Sequence, residues 1–287
     1  MRYEAPETLK SAVTLLAKEK GLAFVLAGGT DLLVKMKGGF LEPDLVVDIK
    51  RIKGVYDITK SATGFKIGAA VPGVQLGESA ALVKAWPGVV EGANLIGSKQ
   101  VQGRCTMVGN LCNGSPAADG VPSLIAANAK VVISGPKGKR TIPVEQVPVS
   151  PGRTSLKKGE IIEAILLPKR PANSSDAYLR FIPRTEMDIA VVGCAVSLRL
   201  QGDKIVEARV ALGAVAPTVI LSEAAAKAII GTTLDEAALA ALAKAAEAEA
   251  KPISDKRGTK EFRIDVAGVL ARRAAKIAYD RAKGMSK

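Results

Sequence analysis

The chain has 287 residues, of which 48% are hydrophobic and 24% are charged, an ordinary globular composition with enough length for two domains. It contains no histidine, which excludes Ser-His-Asp and Cys-His catalysis as well as zinc, haem or iron sites with histidine ligands. Lys and Arg number 41 against 28 Asp and Glu, and the formal net charge of +13 favours an anionic partner: nucleic acid, a membrane surface, a phosphate-bearing cofactor or an acidic subunit.

The positive charge is spread along the chain and interleaved with acidic residues, so a solvated surface explains it as well as a binding partner does. An aromatic share of 3% argues against single-strand nucleic-acid binding, which depends on aromatic faces for stacking. Three cysteines, Cys105, Cys112 and Cys194, indicate a reducing compartment rather than a disulfide framework. The chain starts without the apolar core of a signal peptide, and no apolar run has the length of a membrane span. We therefore expect a soluble, cytoplasmic protein without a metal site of its own.

The first 50 residues predict a small β-α-β unit. Residues 6–8 begin a helix with apolar side chains at helical spacing, and residues 23–27 form a buried strand. That strand continues directly into Gly28-Gly29-Thr30-Asp31, and the next helix begins near Leu32. Residues 45–49 form the second strand of the unit.

A longer run of mixed elements follows. The pattern predicts a hairpin at 55–69, helices at 75–84 and 89–96, and strands at 129–134 and 160–167. Residues 97–120 are rich in Gly, Asn, Ser and Pro and have little periodicity, so this segment is a candidate functional loop.

A polar stretch with two prolines at 168–176 predicts a domain boundary. Beyond it the pattern predicts an antiparallel pair of strands at 190–200 and 206–215, a helix that begins at the capping box of residues 233–236, and a last helix at 264–283 buried along Val266, Val269, Leu270, Ala274 and Ile277. The expected fold class is α+β. A two-lobed α/β domain covers residues 1–173, with lobes of about 1–53 and 54–173, and a domain with a small antiparallel sheet and packed helices covers 174–287.

The first glycine-rich motif is the stretch from Leu26 to Leu33. Consecutive backbone N–H groups in such a turn can bind an anion, and glycine lets a pyrophosphate approach the backbone without a Cβ in the way. Thr30 adds a hydroxyl donor. A tight turn between a strand and a helix would need the same residues, so the motif alone leaves both interpretations open.

The second motif runs from Thr106 to Asp119 and concentrates small and amide residues before a carboxylate. Thr106, Asn110 and Ser115 can donate hydrogen bonds to phosphate or sugar oxygens, and Asp119 can accept hydrogen bonds from ribose or ribityl hydroxyls. A surface loop in which Ser115 caps a helix is the alternative.

Taken together and in this order, the motifs resemble the FAD-binding medium subunit of the molybdenum hydroxylases, the family of xanthine dehydrogenase, carbon monoxide dehydrogenase and 4-hydroxybenzoyl-CoA reductase. The resemblance covers nearly the whole chain. It is carried by residues 6–12, 27–33, 96–101, 106–119, 184–190, 213–218 and 254–259.

The resemblance implies FAD as the cofactor of this chain, with no catalytic residue of its own. It places seven residues around the pyrophosphate: Ala27, Gly28, Gly29, Thr30, Asp31, Leu32 and Leu33. It places another four against phosphate, ribityl or isoalloxazine groups: Thr106, Gly109, Asn110 and Asp119. It places Ile96, Gln100 and Ile162 near the flavin, together with Arg180, where the xanthine dehydrogenase branch has a lysine.

The resemblance also implies partners. A small subunit with two [2Fe-2S] clusters and a large molybdopterin subunit would complete the enzyme, as a dimer of heterotrimers, and electrons would pass through the clusters to FAD and on to NAD, a quinone or oxygen. The substrate, expected to be an N-heteroaromatic compound or an aldehyde, would be oxidised in the large subunit. Two alternatives stay open: a stand-alone FAD-dependent oxidoreductase, and a basic nucleic-acid-binding module, which accounts for the charge but not for the two glycine-rich motifs.

Overall fold

The structure, a computed structural model, describes residues 1–285. Its strands are β1 (Arg2–Glu4), β2 (Ala23–Leu26), β3 (Leu45–Asp48), β4 (Ile58–Ser61), β5 (Gly64–Gly68), β6 (Lys130–Gly135), β7 (Gly138–Pro143), β8 (Pro148–Ser150), β9 (Arg153–Thr154), β10 (Ile161–Pro168), β11 (Ser174–Phe181), β12 (Val192–Gln201), β13 (Lys204–Gly213) and β14 (Ile220–Leu221). Its α-helices are α1 (Leu9–Lys18), α2 (Leu32–Lys37), α3 (Gly73–Glu78), α4 (Ala80–Ala85), α5 (Pro87–Asn94), α6 (Lys99–Gln102), α7 (Met107–Cys112), α8 (Gly120–Ala126), α9 (Glu223–Ile229), α10 (Glu236–Glu249) and α11 (Lys260–Ala282), with 3₁₀ turns at Ile49–Arg51 and Val144–Gln146.

The first lobe is a parallel sheet in the order β1-β3-β2. Its central strand, β3, is buried along its whole length, as expected for a strand with neighbours on both edges. The side chain of Thr8 caps α1 by accepting a hydrogen bond from the N–H of Ser11, and α1 buries its apolar face against this lobe. The predicted β-α-β unit is therefore confirmed, with β1 as an edge strand that the sequence pattern misses.

The second lobe is an antiparallel sheet in the order β4-β5-β10-β6-β7. Strand β10 lies at its centre, and its apolar residues join the same core as the first lobe. Helices α3 to α8 connect β5 to β6. The segment 97–120, expected to be irregular, contains the short helices α6 and α7, and the helix expected at 75–84 is interrupted at Ser79, whose backbone is extended.

The third sheet is antiparallel, in the order β11-β12-β13-β14, and lies between two layers. Side chains alternate along β12, so that Cys194 and Val196 pack with α9, α10 and α11 while Ala195 faces the core of the first two lobes. The α+β fold class is confirmed. Among residues 1–285, no helix has both the length and the apolar composition that crossing a membrane requires.

Three details of the last third correct the sequence analysis. The side chain of Asp235, not Thr233, caps α10, because it accepts a hydrogen bond from the N–H of Ala238 at 2.8 Å. Val269 is exposed, since the buried side of α11 is formed mostly by alanines. Strand β11 was not predicted: it begins at Ser174, inside the polar stretch 168–176, and its polar residues Ser175 and Asp176 are buried.

One of these residues, Asp176, connects β11 to α5. Its carboxylate accepts a hydrogen bond from the N–H of Val89 at 3.2 Å and forms an ion pair with Arg170, whose guanidinium stacks on the ring of Trp86 at 3.9 Å. The approach is close enough that a Cβ at Gly88 would lie 2.7 Å from the Asp176 carboxylate. Burial raises the pKa of Asp176 to about 6, although Arg170 acts in the opposite direction.

We predict that Arg170→Met lowers the free energy of unfolding by about 3 kcal/mol or more, because it leaves the Asp176 carboxylate, only 2% exposed, without its counter-ion. Urea unfolding measures this loss. Arg199→Met is the matched control, because Arg199 pairs with the exposed Glu207 on the surface of the same sheet and should contribute less than about 1 kcal/mol. Equal losses in the two variants would contradict a structural role for the buried pair.

Candidate cofactor site

A cavity of about 640 Å³ lies between the first and second lobes. Its walls come from the end of β2 and the turn that follows it, from α7, and from the segment 152–162 that leads into β10. The volume is within the range of cofactor and small-molecule sites.

The turn after β2 forms one wall of the cavity. Gly29 has a φ of +80°, in the left-handed region that favours glycine, and a Cβ at Gly28 would lie 2.0 Å from the carbonyl oxygen of Arg104. The close approach of the Arg104 backbone therefore requires glycine at position 28, whether or not a ligand is bound. Together these two glycines allow the chain to turn tightly from β2 into α2.

The backbone N–H groups of this turn have no hydrogen-bond partner among the residues that the structure describes. Those of Gly28, Gly29, Thr30 and Asp31 donate no hydrogen bond to any residue between 1 and 285. All four residues line the cavity. Consecutive unpaired N–H groups are a binding site for an anion, and leaving them without a partner would be costly.

Helix α7 forms the facing wall. The hydroxyl of Thr106 accepts a hydrogen bond from the N–H of Gly109 at 2.9 Å, so this residue is the N-cap of α7. The side-chain oxygen of Asn110 accepts from the N–H of Gly120 at 3.0 Å. With its oxygen used in this way, the amide of Asn110 offers its Nδ2 donors to the cavity.

A polar chain joins the two walls. Lys35 donates to the side-chain oxygen of Asn113 at 2.7 Å, and the Nδ2 group of Asn113 donates to Asp31 at 3.1 Å. Burial raises the pKa of Asp31, and Lys35 partly offsets this effect. The carboxylate of Asp31 is therefore used to hold α7 against the glycine turn. Sequence reasoning missed Lys35 and Asn113, although Asn113 lies inside the second motif.

The cavity lining carries more positive than negative charge. Lys20, Lys35, Lys157 and Lys158 line it, against the carboxylates of Asp31 and Glu160. The Glu160 carboxylate is already paired with Arg140, at 2.7 and 2.9 Å. An excess of cations beside unpaired N–H groups suits a ligand that carries phosphate.

Most of the residues singled out in the sequence are brought together here. The cavity is lined by Ala27, Gly28, Gly29, Thr30, Asp31, Leu32, Ile96, Thr106, Gly109, Asn110 and Ile162. Four others, Leu33, Gln100, Asp119 and Arg180, lie outside this lining. The oxygen of the Gln100 side chain accepts a hydrogen bond from Ser98 at 2.8 Å. The segment 152–161, which also lines the cavity, was not identified because its approach depends on the tertiary fold.

Asp119 and Arg180 meet each other instead. Arg180 donates to one oxygen of the Asp119 carboxylate at 2.7 Å, and the hydroxyl of Tyr178 donates to the other at 3.1 Å. Burial raises the pKa of Asp119 to about 6, while Arg180 and Tyr178 lower it. Asp119 directly precedes α8 but makes no side-chain capping bond to that helix.

Two cysteines also border the cavity. Burial raises the pKa of Cys105 to about 11 and that of Cys112 to about 12, so both thiols are protonated at neutral pH and are poor nucleophiles. No group of three or more acidic or cysteine side chains within residues 1–285 is arranged to hold a metal ion.

Comparison with known proteins identifies the family. Residues 1–170 match the family model described as the FAD binding domain in molybdopterin dehydrogenase, and residues 177–278 match the CO dehydrogenase flavoprotein C-terminal domain. Together the two models span both glycine-rich motifs and most of the third sheet.

Relatives of known name match over almost their full length. The chain is 33% identical to the carbon monoxide dehydrogenase medium chain of Hydrogenophaga pseudoflava, with 97% of each chain covered. It is 31% identical to a putative xanthine dehydrogenase FAD-binding subunit of Escherichia coli, with 98% of this chain and 97% of the relative covered.

Solved structures match as well. A chain of carbon monoxide dehydrogenase from Hydrogenophaga pseudoflava superposes with a TM-score of 0.94 at 34% identity, over 98% of each chain. A chain of quinoline 2-oxidoreductase from Pseudomonas putida superposes with a TM-score of 0.91 at 26% identity, over 100% of this chain and 98% of the other. The chain therefore belongs to the molybdenum hydroxylase family, as one of its FAD-binding oxidoreductase subunits.

Proposed function

We propose that the cavity between the two lobes binds FAD, with the diphosphate on the backbone N–H groups of Gly28 to Asp31. The observation that carries this proposal is the set of four consecutive N–H groups that have no hydrogen-bond partner within residues 1–285, at a cavity whose lining has excess positive charge. The hydroxyl of Thr30 and the Nδ2 donors of Asn110 would provide further hydrogen bonds to FAD from the two walls.

FAD supplies the redox chemistry when bound. The chain's own contribution is to hold and orient this carrier. We propose that it does so between a partner subunit with [2Fe-2S] clusters, which donates electrons, and an external acceptor such as NAD, a quinone or oxygen.

The partners and the substrate follow from the same proposal. The small iron–sulfur subunit and the large molybdopterin subunit would assemble with this chain, as a dimer of heterotrimers, and the large subunit would oxidise the substrate. The relatives are named for carbon monoxide, xanthine and quinoline, so they span several substrates. We retain an N-heteroaromatic compound or an aldehyde as the proposed substrate class.

We propose that Asp119 and Arg180 affect this site indirectly, by holding a cavity residue in place. Asp119 precedes Gly120, whose N–H holds the side chain of Asn110. The bonds from Arg180 and Tyr178, both on β11, therefore hold the loop before α8, which in turn orients Asn110 at the cavity.

We predict that Gly29→Ala weakens FAD binding at least tenfold, because an alanine disfavours the positive φ of the turn whose N–H groups we propose to bind the diphosphate. The dissociation constant is measured by flavin fluorescence during titration of the flavin-free protein.

Gly202→Ala is the matched control for this experiment. Gly202 also has a positive φ, of +59°, but it lies in the β12–β13 turn, where a Cβ would meet nothing within 4 Å. It should therefore carry the same backbone strain and leave FAD affinity unchanged. Unchanged affinity in Gly29→Ala, or the same loss in both variants, would contradict the assigned role of the turn.

We also predict that Arg180→Met weakens FAD binding about tenfold, because the loop before α8 loses its anchor and Asn110 is no longer held. Arg170→Met is the control, since it also breaks a buried ion pair with one partner on β11, but that partner, Asp176, is remote in sequence from Gly120, whose N–H holds Asn110. If both variants lower stability but neither changes the FAD dissociation constant, Arg180 has only a structural role.

A further inference from the structure

Helix α2 exposes its apolar side chains to water. None of its six residues is buried, and Leu33 and Val34 are 46% and 66% exposed. Phe40, three residues after the helix, is 86% exposed. We call the side chains of Leu33, Val34 and Phe40 the α2 ridge. Because short helices are normally stabilised by burying an apolar face, a helix with this surface is typical of an interaction site.

The α2 ridge directly adjoins the cofactor cavity. The helix begins at the glycine turn, where the N–H of Leu33 donates to the carbonyl oxygen of Gly29 at 3.0 Å. Leu32, Lys35 and Leu41, which are interspersed with the ridge residues, line the cavity. A protein that covers the ridge would therefore lie beside the cavity.

The charges around the ridge indicate what kind of partner fits. Residues 32–41 include two lysines, Lys35 and Lys37, and no carboxylate. Two copies of this chain that met symmetrically through the ridge would bring these lysines towards each other, which disfavours a homodimer. A partner with an apolar patch bordered by Asp and Glu side chains would complement both the apolar side chains of the ridge and the positive charge of its lysines.

We propose that the α2 ridge is the docking surface for the subunit that delivers electrons to the cavity. This subunit would present an apolar patch with an acidic rim. The inference rests on the proposed function, since an electron donor is needed only if the cavity holds a flavin. The apolar contacts would hold the complex, while the lysines would accelerate its formation at low salt.

The test uses the tagged chain co-expressed with the iron–sulfur and molybdopterin subunits of its enzyme. Val34→Asp and Phe40→Asp each place a carboxylate on the ridge, outside the cavity lining. We expect each substitution to raise the dissociation constant for the iron–sulfur subunit at least tenfold. The complex is purified at several protein concentrations, and the ratio of iron to flavin in each sample measures how much of the iron–sulfur subunit remains bound. The flavin content of the isolated variants should stay unchanged.

Ile253→Asp is the matched control, because Ile253 is 74% exposed but lies in the carboxy-terminal part of the chain. It should assemble like the unmodified chain. Normal assembly of both ridge variants, or equal loss with Ile253→Asp, would overturn the proposal.

A photo-cross-linking amino acid in place of Phe40 identifies the occupant directly. Cross-links to the iron–sulfur subunit support the proposal. Cross-links to the large subunit or to a second copy of this chain overturn the proposal. It is also overturned if the ridge variants assemble normally but no longer bind anionic lipid vesicles that the unmodified chain binds. A chain that binds no flavin would instead refute the proposed function, so the two failures are distinguishable.

Discussion

The unpaired backbone N–H groups of Gly28 to Asp31 are the constraint on which the site depends. A protein seldom leaves four consecutive donors without partners, because such groups otherwise need water or another acceptor. The arrangement requires a positive φ at Gly29, and it requires a residue without a Cβ at Gly28, where the backbone of Arg104 lies against the turn. The same contact brings the second lobe to the first, so the turn helps to shape the cavity as well as to line it.

Buried charges connect the cavity to the third sheet. Strand β11 contributes Asp176, Tyr178 and Arg180, each bonded to a group of the second lobe or of the segment that leads into β11. Burying ion pairs is a poor way to gain stability, but it defines a single arrangement, because a displaced strand would leave charges without partners. We attribute the orientation of the loop before α8, and hence of Asn110, to this requirement.

The sequence was most informative where chemistry depends on adjacent residues. The β-α-β unit could be predicted because the hydrophobic periodicity of its strands and helices is local, and the glycine turn could be predicted because its residue types are adjacent in the chain. The sequence was less informative where partners are distant. Nothing in the pattern indicated that the carboxylate of Asp31 bonds Asn113, which lies 82 positions away. Strand β11 was missed because polar residues at its start are typical of a linker. Only the tertiary structure shows that the Asp176 carboxylate is buried with a hydrogen bond from Val89 and an ion pair with Arg170.

The central claim is that the diphosphate of FAD binds to the backbone of the glycine turn. A crystal structure of the FAD-loaded chain tests this most directly. The account predicts diphosphate oxygens within hydrogen-bonding distance of the N–H groups of Gly28 to Asp31, with Asn110 on the opposite wall. A diphosphate held only by Lys157 and Lys158, with the N–H groups of the turn facing solvent, would contradict it.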